Sequence, residues 1–194
     1  MYPVRQYGNS TRWAHKTRWA TLALSSVPAA DIPPVPLKGK TMLDTSNYYP
    51  FRDGRVAELD DEKLTTIELV QRHFDGIALV KAFNNILAHH IPHLARPSGA
   101  SDRTALPIVS DDGHAKTEAA ALIDRLDFDT VDAGPLAESW RFEPEAAAYT
   151  RLYLADPATP NEHLLEAPGA PVSAAKLRSA LDEAERVRVA DRTF

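Results

Sequence analysis

Short apolar runs that end in polar or turn-forming residues recur along this chain and constrain its fold more than any other feature. Five of these runs are typical of buried strands, and they lie at residues 21–27, 41–45, 77–83, 105–109 and 130–132. Apolar residues at helical spacing occupy 60–74 and 114–126. Because strands that alternate with helices favour an α/β layer structure, we predict a partial Rossmann-like, mostly parallel sheet with flanking helices.

The pattern divides the chain into three parts. Residues 1–18 have neither strand nor helical periodicity, so we leave them unassigned or disordered. Residues 19–155 carry the alternating pattern and form the predicted domain. Residues 156–194 begin as a proline-rich linker and continue into a carboxyl-terminal helix that starts near Ser173. The apolar face of that helix either packs on the body of the domain or pairs with a second copy of the chain.

Composition excludes several classes of function. The net charge is -5 and no basic run occurs, so the chain has no electrostatic footprint for nucleic acid. There are no cysteines, which excludes disulfides and thiolate metal sites. No apolar run has the length of a signal peptide or a membrane span, and we expect a cytoplasmic protein with no membrane partner.

Polar residues follow the predicted strands at the points where each strand ends. In parallel α/β sheets, ligands bind outside the carboxyl ends of the strands. In this chain those ends carry Ser26, the segment 44–47, the segment 81–85, Asp111-Asp112 and Gly134. The sequence therefore predicts a ligand site along this edge of the sheet.

Several of these residues have two readings. Lys81 either places a cation near a ligand phosphate or carbonyl, or reaches solvent from the end of its strand. Asn84 and Asn85 bind the edge of a ring or cap a turn. Tyr48 and Tyr49 flank a cofactor ring or seal the end of the sheet. Four later aromatic residues are more typical of core packing than of a flavin site: Trp140, Phe142, Tyr149 and Tyr153.

Two clusters resemble metal sites, yet we predict no metal. The acidic pair Asp111-Asp112 directly precedes a helix, where such residues usually cap the first turn. His89 and His93 have the i, i+4 spacing of metal ligands, but Pro92 interrupts the helix that would align their rings.

Five motifs occur in an order that resembles one enzyme family. They are Val27-Pro28, Leu43-Asp44-Thr45-Ser46-Asn47-Tyr48-Tyr49-Pro50, Val80-Lys81-Ala82-Phe83-Asn84, Ser110-Asp111-Asp112 and Val131-Asp132-Ala133-Gly134-Pro135-Leu136. The chain is similar, over residues 19–153, to the reductases that pass hydride between NADPH and the 8-hydroxy-5-deazaflavin coenzyme (coenzyme F-420), and to the broader NADP-oxidoreductase family. The resemblance implies NADP as a cofactor and a deazaflavin or flavin-like acceptor as the second ligand.

The resemblance also implies the positions of the cofactor-binding residues. Ser26, Val27 and Pro28 would lie beside the nicotinamide. The cleft for the acceptor would be lined by Asp44, Thr45, Ser46, Asn47, Lys81, Ala82, Phe83, Asn84 and Asn85, and Gly134 and Pro135 would also contact cofactor. No catalytic side chain is implied, because the cofactors supply the chemistry and the protein supplies positioning.

The chain departs from the family where the pyrophosphate of the nucleotide should bind. It has no G-x-G-x-x-G turn ahead of a helix, and its only early glycines are Gly8 and Gly39. The resemblance therefore implies an amino-terminally truncated member that lacks about two β-α-β units, on the order of 60 to 80 residues. We expect weak NADPH binding and self-association through the strand edge near residues 22–27. The alternative is a non-catalytic remnant that serves as a binding or dimerisation module.

Overall fold

Five four-residue strands frame the part of the chain that the computed structural model describes, which is residues 19–22 and 38–192. They are β1 (Trp19–Leu22), β2 (Thr41–Asp44), β3 (Ala78–Lys81), β4 (Ala105–Ile108) and β5 (Asp129–Asp132). Strands β1, β2 and β3 form one parallel sheet in that order, and β4 pairs with β5 in a second parallel sheet. The predicted α/β, Rossmann-like class is confirmed, and each described strand overlaps a predicted one.

The two sheets are joined by an antiparallel contact, whereas all strands of a continuous parallel sheet run in the same direction. The backbone N–H of Lys81 donates to the carbonyl of Val109 at 3.1 Å, and the N–H of Val109 donates back at 3.4 Å, which is an antiparallel bridge. The chain after β4 therefore runs back along β3 toward the amino end of that strand, where the Ser110 hydroxyl donates to the Leu79 carbonyl at 2.6 Å. The expectation that all strand ends meet at one edge is wrong for β4 and β5.

Helices cover the sheets and fill the connections. The α-helices are α1 (Pro50–Asp53), α2 (Ala57–Asp60), α3 (Thr66–His73), α4 (Ile91–Leu94), α5 (Gly113–Arg125) and α6 (Ala174–Asp182), and 3-10 segments occupy Ala88–His90, Leu136–Phe142, Thr150–Tyr153, Asn161–Glu166 and Val189–Asp191. The side chain of Asp112 caps α5 by accepting from the Ala115 N–H at 2.8 Å. The interpretation of Asp112 as a helix cap is confirmed.

The helix predicted over residues 60–74 is shorter than predicted and spans Thr66–His73, so its predicted start is wrong. Glu62 has a φ of 58°, in the left-handed region that cannot continue a helix. Helix α3 begins instead after Thr65, whose N–H and hydroxyl both donate to the Glu68 carboxylate, at 2.8 and 2.9 Å. The Thr65 hydroxyl also caps the Glu68 N–H, so this capping box satisfies donors that a start at Asp60 would leave unpaired.

The carboxyl-terminal helix packs on the body of the domain. Leu177 and Leu181 on α6 are buried in the same core as residues of β3 and β4. The backbone N–H of Ala105 donates to the Val172 carbonyl at 2.8 Å, which fixes the entry to α6 beside β4. Its apolar face is thus largely covered within one copy of the chain.

The predicted histidine cluster contacts the segment that leads to α6. His89 and His90 both donate from Nε2 to the Ala167 carbonyl, at 3.0 and 2.8 Å. Burial lowers the pKa of His90 below its usual value. Within residues 38–192 no three His, Cys, Asp or Glu side chains are grouped so as to hold a metal ion. In the same range no helix is long and apolar enough to cross a membrane.

Candidate functional site

Parallel pairing of β2 and β3 brings two predicted site segments together. Asp44 is paired with Lys81 in the register of the two strands, and the Ala82 N–H donates to the Asp44 carbonyl at 3.0 Å. Residues 44–49 and 81–85 therefore lie side by side, and we call them the carboxyl-edge cluster. Ser26, Val27 and Pro28 fall outside the described residues.

The segment after β2 stays extended, and its side chains alternate between interior and surface. Asp44, Ser46 and Tyr48 are buried, whereas Thr45, Asn47 and Tyr49 are partly exposed. This period of two is the geometry of a strand continued past its last ladder bond. The partly exposed residues are consequently the ones that a ligand at this edge can reach.

Asp44 and Lys81 form a fully buried ion pair beneath this surface. Their side chains are both 0% exposed, and Lys81 Nζ lies 3.3 Å from Asp44 Oδ2. The same ammonium donates to the Ser46 carbonyl at 2.6 Å, and the Ser46 N–H donates to Asp44 Oδ1 at 3.1 Å. Of the two alternatives for Lys81, the one in which it reaches solvent is wrong, because its side chain is buried against Asp44, which stands opposite it in the strand register.

A second buried ion pair, between Glu143 and Arg192, supports the first. Arg192 donates to Glu143 Oε2 and to the Tyr48 carbonyl, both at 3.1 Å. The Ser139 hydroxyl donates to Glu143 Oε1 at 2.9 Å. Burial alone would raise the pKa of Glu143, but the charges of Lys81 and Arg192 outweigh it and hold the pKa below its usual range. The negative charges of two carboxylates thus compensate the positive charges of two cations beneath the cluster.

Amide side chains tie the two segments of the cluster to the chain around residues 142–149. Asn84 Nδ2 donates to the Phe142 carbonyl at 2.9 Å and to Asn47 Oδ1 at 3.2 Å, and Asn47 Nδ2 donates to the Asn84 carbonyl at 2.7 Å. Asn85 Nδ2 donates to the Ala148 carbonyl at 2.8 Å. Neither asparagine merely caps a turn, since each connects segments about 60 residues apart in the sequence.

Two tyrosine hydroxyls meet at the partly exposed surface of the cluster. The hydroxyls of Tyr49 and Tyr149 are 2.6 Å apart, and Asn47 Nδ2 donates to Tyr149 Oη at 3.1 Å. The guanidinium of Arg52 lies 4.7 Å from the centre of the Tyr49 ring, a cation–π contact. The same guanidinium is paired with Asp53, with Nε 2.6 Å from Oδ1. The surface therefore combines hydrogen-bond donors, an aromatic ring and an ion pair.

Three buried acceptors in the cluster have no hydrogen-bond partner among the described residues. They are Ser46 Oγ, Asn84 Oδ1 and Asn85 Oδ1. Buried polar atoms are normally paired, so unpaired ones are frequently completed by a ligand, an ion or water. Phe83, between the strand and the two asparagines, has a φ of 61°, a strained conformation of the kind that concentrates at functional sites.

The structure separates the other predicted residues from one another. Ala82 is buried in the core, and the Phe83 ring packs edge-on against Phe128 at 5.9 Å. Gly134 lies elsewhere, with its carbonyl accepting from the Ser110 N–H at 3.2 Å, and Pro135 follows it. Since Ser110 is beside the amino end of β3, the structure does not bring Gly134 and Pro135 into the carboxyl-edge cluster.

Sequence reasoning missed Glu143, Tyr149 and Arg192. Tyr149 was assigned to core packing, yet its hydroxyl hydrogen-bonds within the cluster. Arg192 lies 144 residues from Tyr48, whose carbonyl it contacts. The only local signal was Tyr149 itself, as a polar aromatic residue that needs a partner when it is partly buried.

One cavity in the described part of the chain lies away from this cluster. It has a volume of about 530 Å³ and opens at the opposite edge, between the starts of β2 and β3 and the first turn of α5. Lys40, Gln71, Asp111 and His114 are among its lining residues, and none of the predicted cofactor residues is. The cavity is therefore separate from the carboxyl-edge cluster, where the unpaired acceptors and the strained Phe83 lie.

Parallel strand pairs, flanking helices and polar strand ends define a Rossmann-like α/β domain. Two solved structures share this fold with TM-scores of 0.51, each over 66% of the chain. One, at 22% identity and over 60% of its own length, is a protein of Arthrobacter sp. FB24 for which a coenzyme F-420-dependent NADP reductase activity has been suggested. The other is a hypothetical protein of Sinorhizobium meliloti, at 28% identity and over 62% of its own length.

These comparisons establish the fold. No protein-family model and no curated protein matches the sequence. The chain spans about 60% of the length of the solved structures that it matches.

Proposed function

We propose that this chain is the acceptor-binding part of an NADP-linked oxidoreductase that transfers hydride between NADPH and a deazaflavin or other flavin-like ring. The observation that carries the proposal is the carboxyl-edge cluster, where Asn47, Tyr49 and Tyr149 form a partly exposed polar surface over two buried ion pairs. The similar fold of the Arthrobacter protein supports the proposal independently.

The cluster fits the edge of a planar heterocycle. A flavin-like ring presents carbonyl oxygens and ring nitrogens along one edge, and it binds to hydrogen-bonding side chains that do not move. The Asn47 amide is held by Asn84, and the segment that carries Asn47 and Tyr49 is held by Lys81 through the Ser46 carbonyl. The buried acceptors Ser46 Oγ and Asn84 Oδ1 have no partner among the described residues and can accept hydrogen bonds from buried water.

In this function the side chains position the reactants and exclude water. NADPH supplies the hydride when it is bound. Hydride transfer requires two rings face to face at near-contact distance, so a rigid support contributes through orientation. The buried Asp44–Lys81 and Glu143–Arg192 pairs provide that support, because breaking either one leaves an uncompensated charge.

The chain has the residues expected of an acceptor site, but it lacks the motif that usually binds the pyrophosphate of the nucleotide. A pyrophosphate is usually bound by a glycine-rich turn at a helix amino terminus, and no G-x-G-x-x-G occurs in the 194 residues. We propose that the chain by itself binds NADPH weakly and binds the acceptor ring independently of NADPH.

Titration of the full chain with the oxidised 8-hydroxy-5-deazaflavin coenzyme is expected to give saturable fluorescence quenching, because the acceptor surface is already assembled. Calorimetric titration with NADPH is expected to give little heat. Asn47→Leu should weaken binding of the coenzyme, while Thr117→Val, on the exposed face of α5, should leave it unchanged.

Two results would contradict this part of the proposal. If the folded chain does not change the fluorescence in the titration with the coenzyme, it has no acceptor site. NADPH binding in the low-micromolar range, about -8 kcal/mol, would show that the missing loop does not matter.

A second function, as a dimerisation module, is favoured by the position of β1. Among the described residues β1 pairs with β2 on one side, and no described strand pairs with its other side. An unpaired strand edge is a template for a second chain. We propose that the chain forms a homo-oligomer through this edge, and light scattering at high protein concentration should give a dimer or larger. A monomer there would count against it.

A further inference from the structure

Three hydrogen-bonding groups at the surface of the cluster form a chain with a defined direction. Asn47 Nδ2 lies 2.7 Å from the Asn84 carbonyl, which can only accept, so the orientation of the Asn47 amide is fixed. The second hydrogen on that nitrogen points to Tyr149 Oη, at 3.1 Å. Tyr149 therefore receives a hydrogen bond from Asn47.

The Tyr149 proton is then available for a hydrogen bond to Tyr49, and the distance alone allows either hydroxyl to donate. The 2.6 Å contact with Tyr49 Oη is the shorter of these two contacts of the Tyr149 hydroxyl, and a hydroxyl that already accepts from Asn47 is polarised to donate. Tyr49 Oη accepts this bond and keeps its own proton for a partner outside the chain of three. Because Tyr49 is partly exposed, that partner can be a ligand.

Burial keeps the Tyr49 proton in place. It raises the pKa of both Tyr49 and Tyr149 above the usual tyrosine range, although the hydrogen bond to Tyr149 and the charges of Arg52 and Arg192 oppose the rise at Tyr49. The two cations are themselves paired, Arg52 with Asp53 and Arg192 with Glu143. The Tyr49 hydroxyl is therefore protonated at neutral pH and acts as a donor.

We infer that Tyr49 is a catalytic hydrogen-bond donor to the acceptor ring, with Tyr149 and Asn47 as the residues that position it. The inference rests on the proposed function. With both ligands bound, a hydride with its electron pair would leave the nicotinamide as its C–H bond breaks, and a new C–H bond would form on the acceptor. NADPH would be oxidised to NADP⁺, and the reduced ring would take the negative charge of the hydride onto its conjugated nitrogen and carbonyl atoms. Tyr49 donates to that charge and keeps its proton, so no other reactant is needed.

This role makes a prediction that a purely structural tyrosine does not. Tyr49 should bind the reduced ring, which carries the charge brought by the hydride, more strongly than the oxidised ring. Tyr49→Phe keeps the aromatic ring and its contact with Arg52 but removes the hydroxyl. We expect this change to weaken binding of the chemically reduced deazaflavin coenzyme by about tenfold to a hundredfold, the range for a hydrogen bond to a charged group. Binding of the oxidised coenzyme should change less, by about twofold to tenfold, the range for a hydrogen bond to an uncharged atom.

The experiment titrates each form of the coenzyme separately into the full chain, the reduced form under anaerobic conditions, with the fold checked by circular dichroism. Tyr149→Phe, which keeps the Tyr49 hydroxyl but removes its donor, should give a smaller loss that again falls mainly on the reduced form. Replacing Tyr49 by 3-fluorotyrosine makes the hydroxyl a stronger donor and should tighten binding of the reduced form, which provides a test if Tyr49→Phe does not fold.

The outcomes separate the two levels of the proposal. Equal losses for both forms in Tyr49→Phe, or no gain with 3-fluorotyrosine, would overturn the role of Tyr49 and leave the acceptor site intact. A folded wild-type chain that binds neither form would overturn the proposed function, and the role of Tyr49 with it.

Discussion

Replacing Lys81 by methionine is expected to lower the free energy of unfolding by about 3–5 kcal/mol, the range for removing one partner of a buried ion pair. The substitution leaves Asp44 with no counter-charge at 0% exposure, and it removes a positive charge that stabilises ionised Glu143. It also removes the hydrogen bond to the Ser46 carbonyl, which holds the segment after β2. Urea denaturation followed by circular dichroism gives the measurement.

Two control variants distinguish the effect of an unpaired buried charge from the effect of removing a lysine side chain. Lys116→Met breaks an ion pair near the surface, in which Lys116 Nζ lies 2.8 Å from Asp132 Oδ1. It should lower the free energy of unfolding by about 0–1 kcal/mol. The double variant Asp44→Asn/Lys81→Met removes the unpaired carboxylate and should recover part of the stability lost in Lys81→Met. If Lys81→Met lowers the free energy of unfolding by no more than Lys116→Met does, the claim that Asp44 and Lys81 form a buried ion pair is contradicted.

Fusing a β-α-β segment with a glycine-rich turn ahead of residue 19 is expected to raise the affinity for NADPH by at least about a hundredfold. The pyrophosphate would gain backbone N–H donors at a helix amino terminus, and two hydrogen bonds to a charged group contribute about 1.5–3 kcal/mol each. Calorimetric titration of the chimera beside the natural chain measures the gain.

A second chimera, with the glycines of the turn changed to valine, provides the matched control. Its side chains block the close approach of backbone to pyrophosphate, so it should bind NADPH no better than the natural chain. Equal affinity in both chimeras would mean that the turn does not hold the nucleotide.

Local patterns predicted the elements that depend on nearby residues. The strand at 105–109 and the helix after Asp112 appear within a residue of their expected bounds, because apolar runs and capping residues act over a few positions. The direction of β4 relative to β3 was not predictable in the same way. It depends on pairing between Lys81 and Val109, 28 residues apart, and no local pattern encodes it.

The candidate site was predictable in its segments but not in its partners. The polar residues that follow the predicted strands indicated 44–47 and 81–85 as site segments. Parallel pairing of β2 and β3 brings the two segments together, as expected. The sequence did not indicate that Lys81 would be buried, because that depends on Asp44 lying opposite it and on Glu143 nearby. Nor did it indicate that Arg192, close to the carboxyl terminus, would reach Glu143 beneath Tyr48.

Hydride transfer from NADPH to the deazaflavin coenzyme by the glycine-turn chimera tests the central claim most directly. Loss of the absorbance of the oxidised coenzyme reports the reaction, and NADPH and coenzyme binding are measured on the same preparation. We predict turnover in the chimera and none in the valine control, because the surface around Asn47 and Tyr49 that we propose for the acceptor is already present in this chain. A folded chimera that binds both NADPH and the coenzyme yet transfers no hydride would contradict the assignment of the carboxyl-edge cluster as an acceptor site.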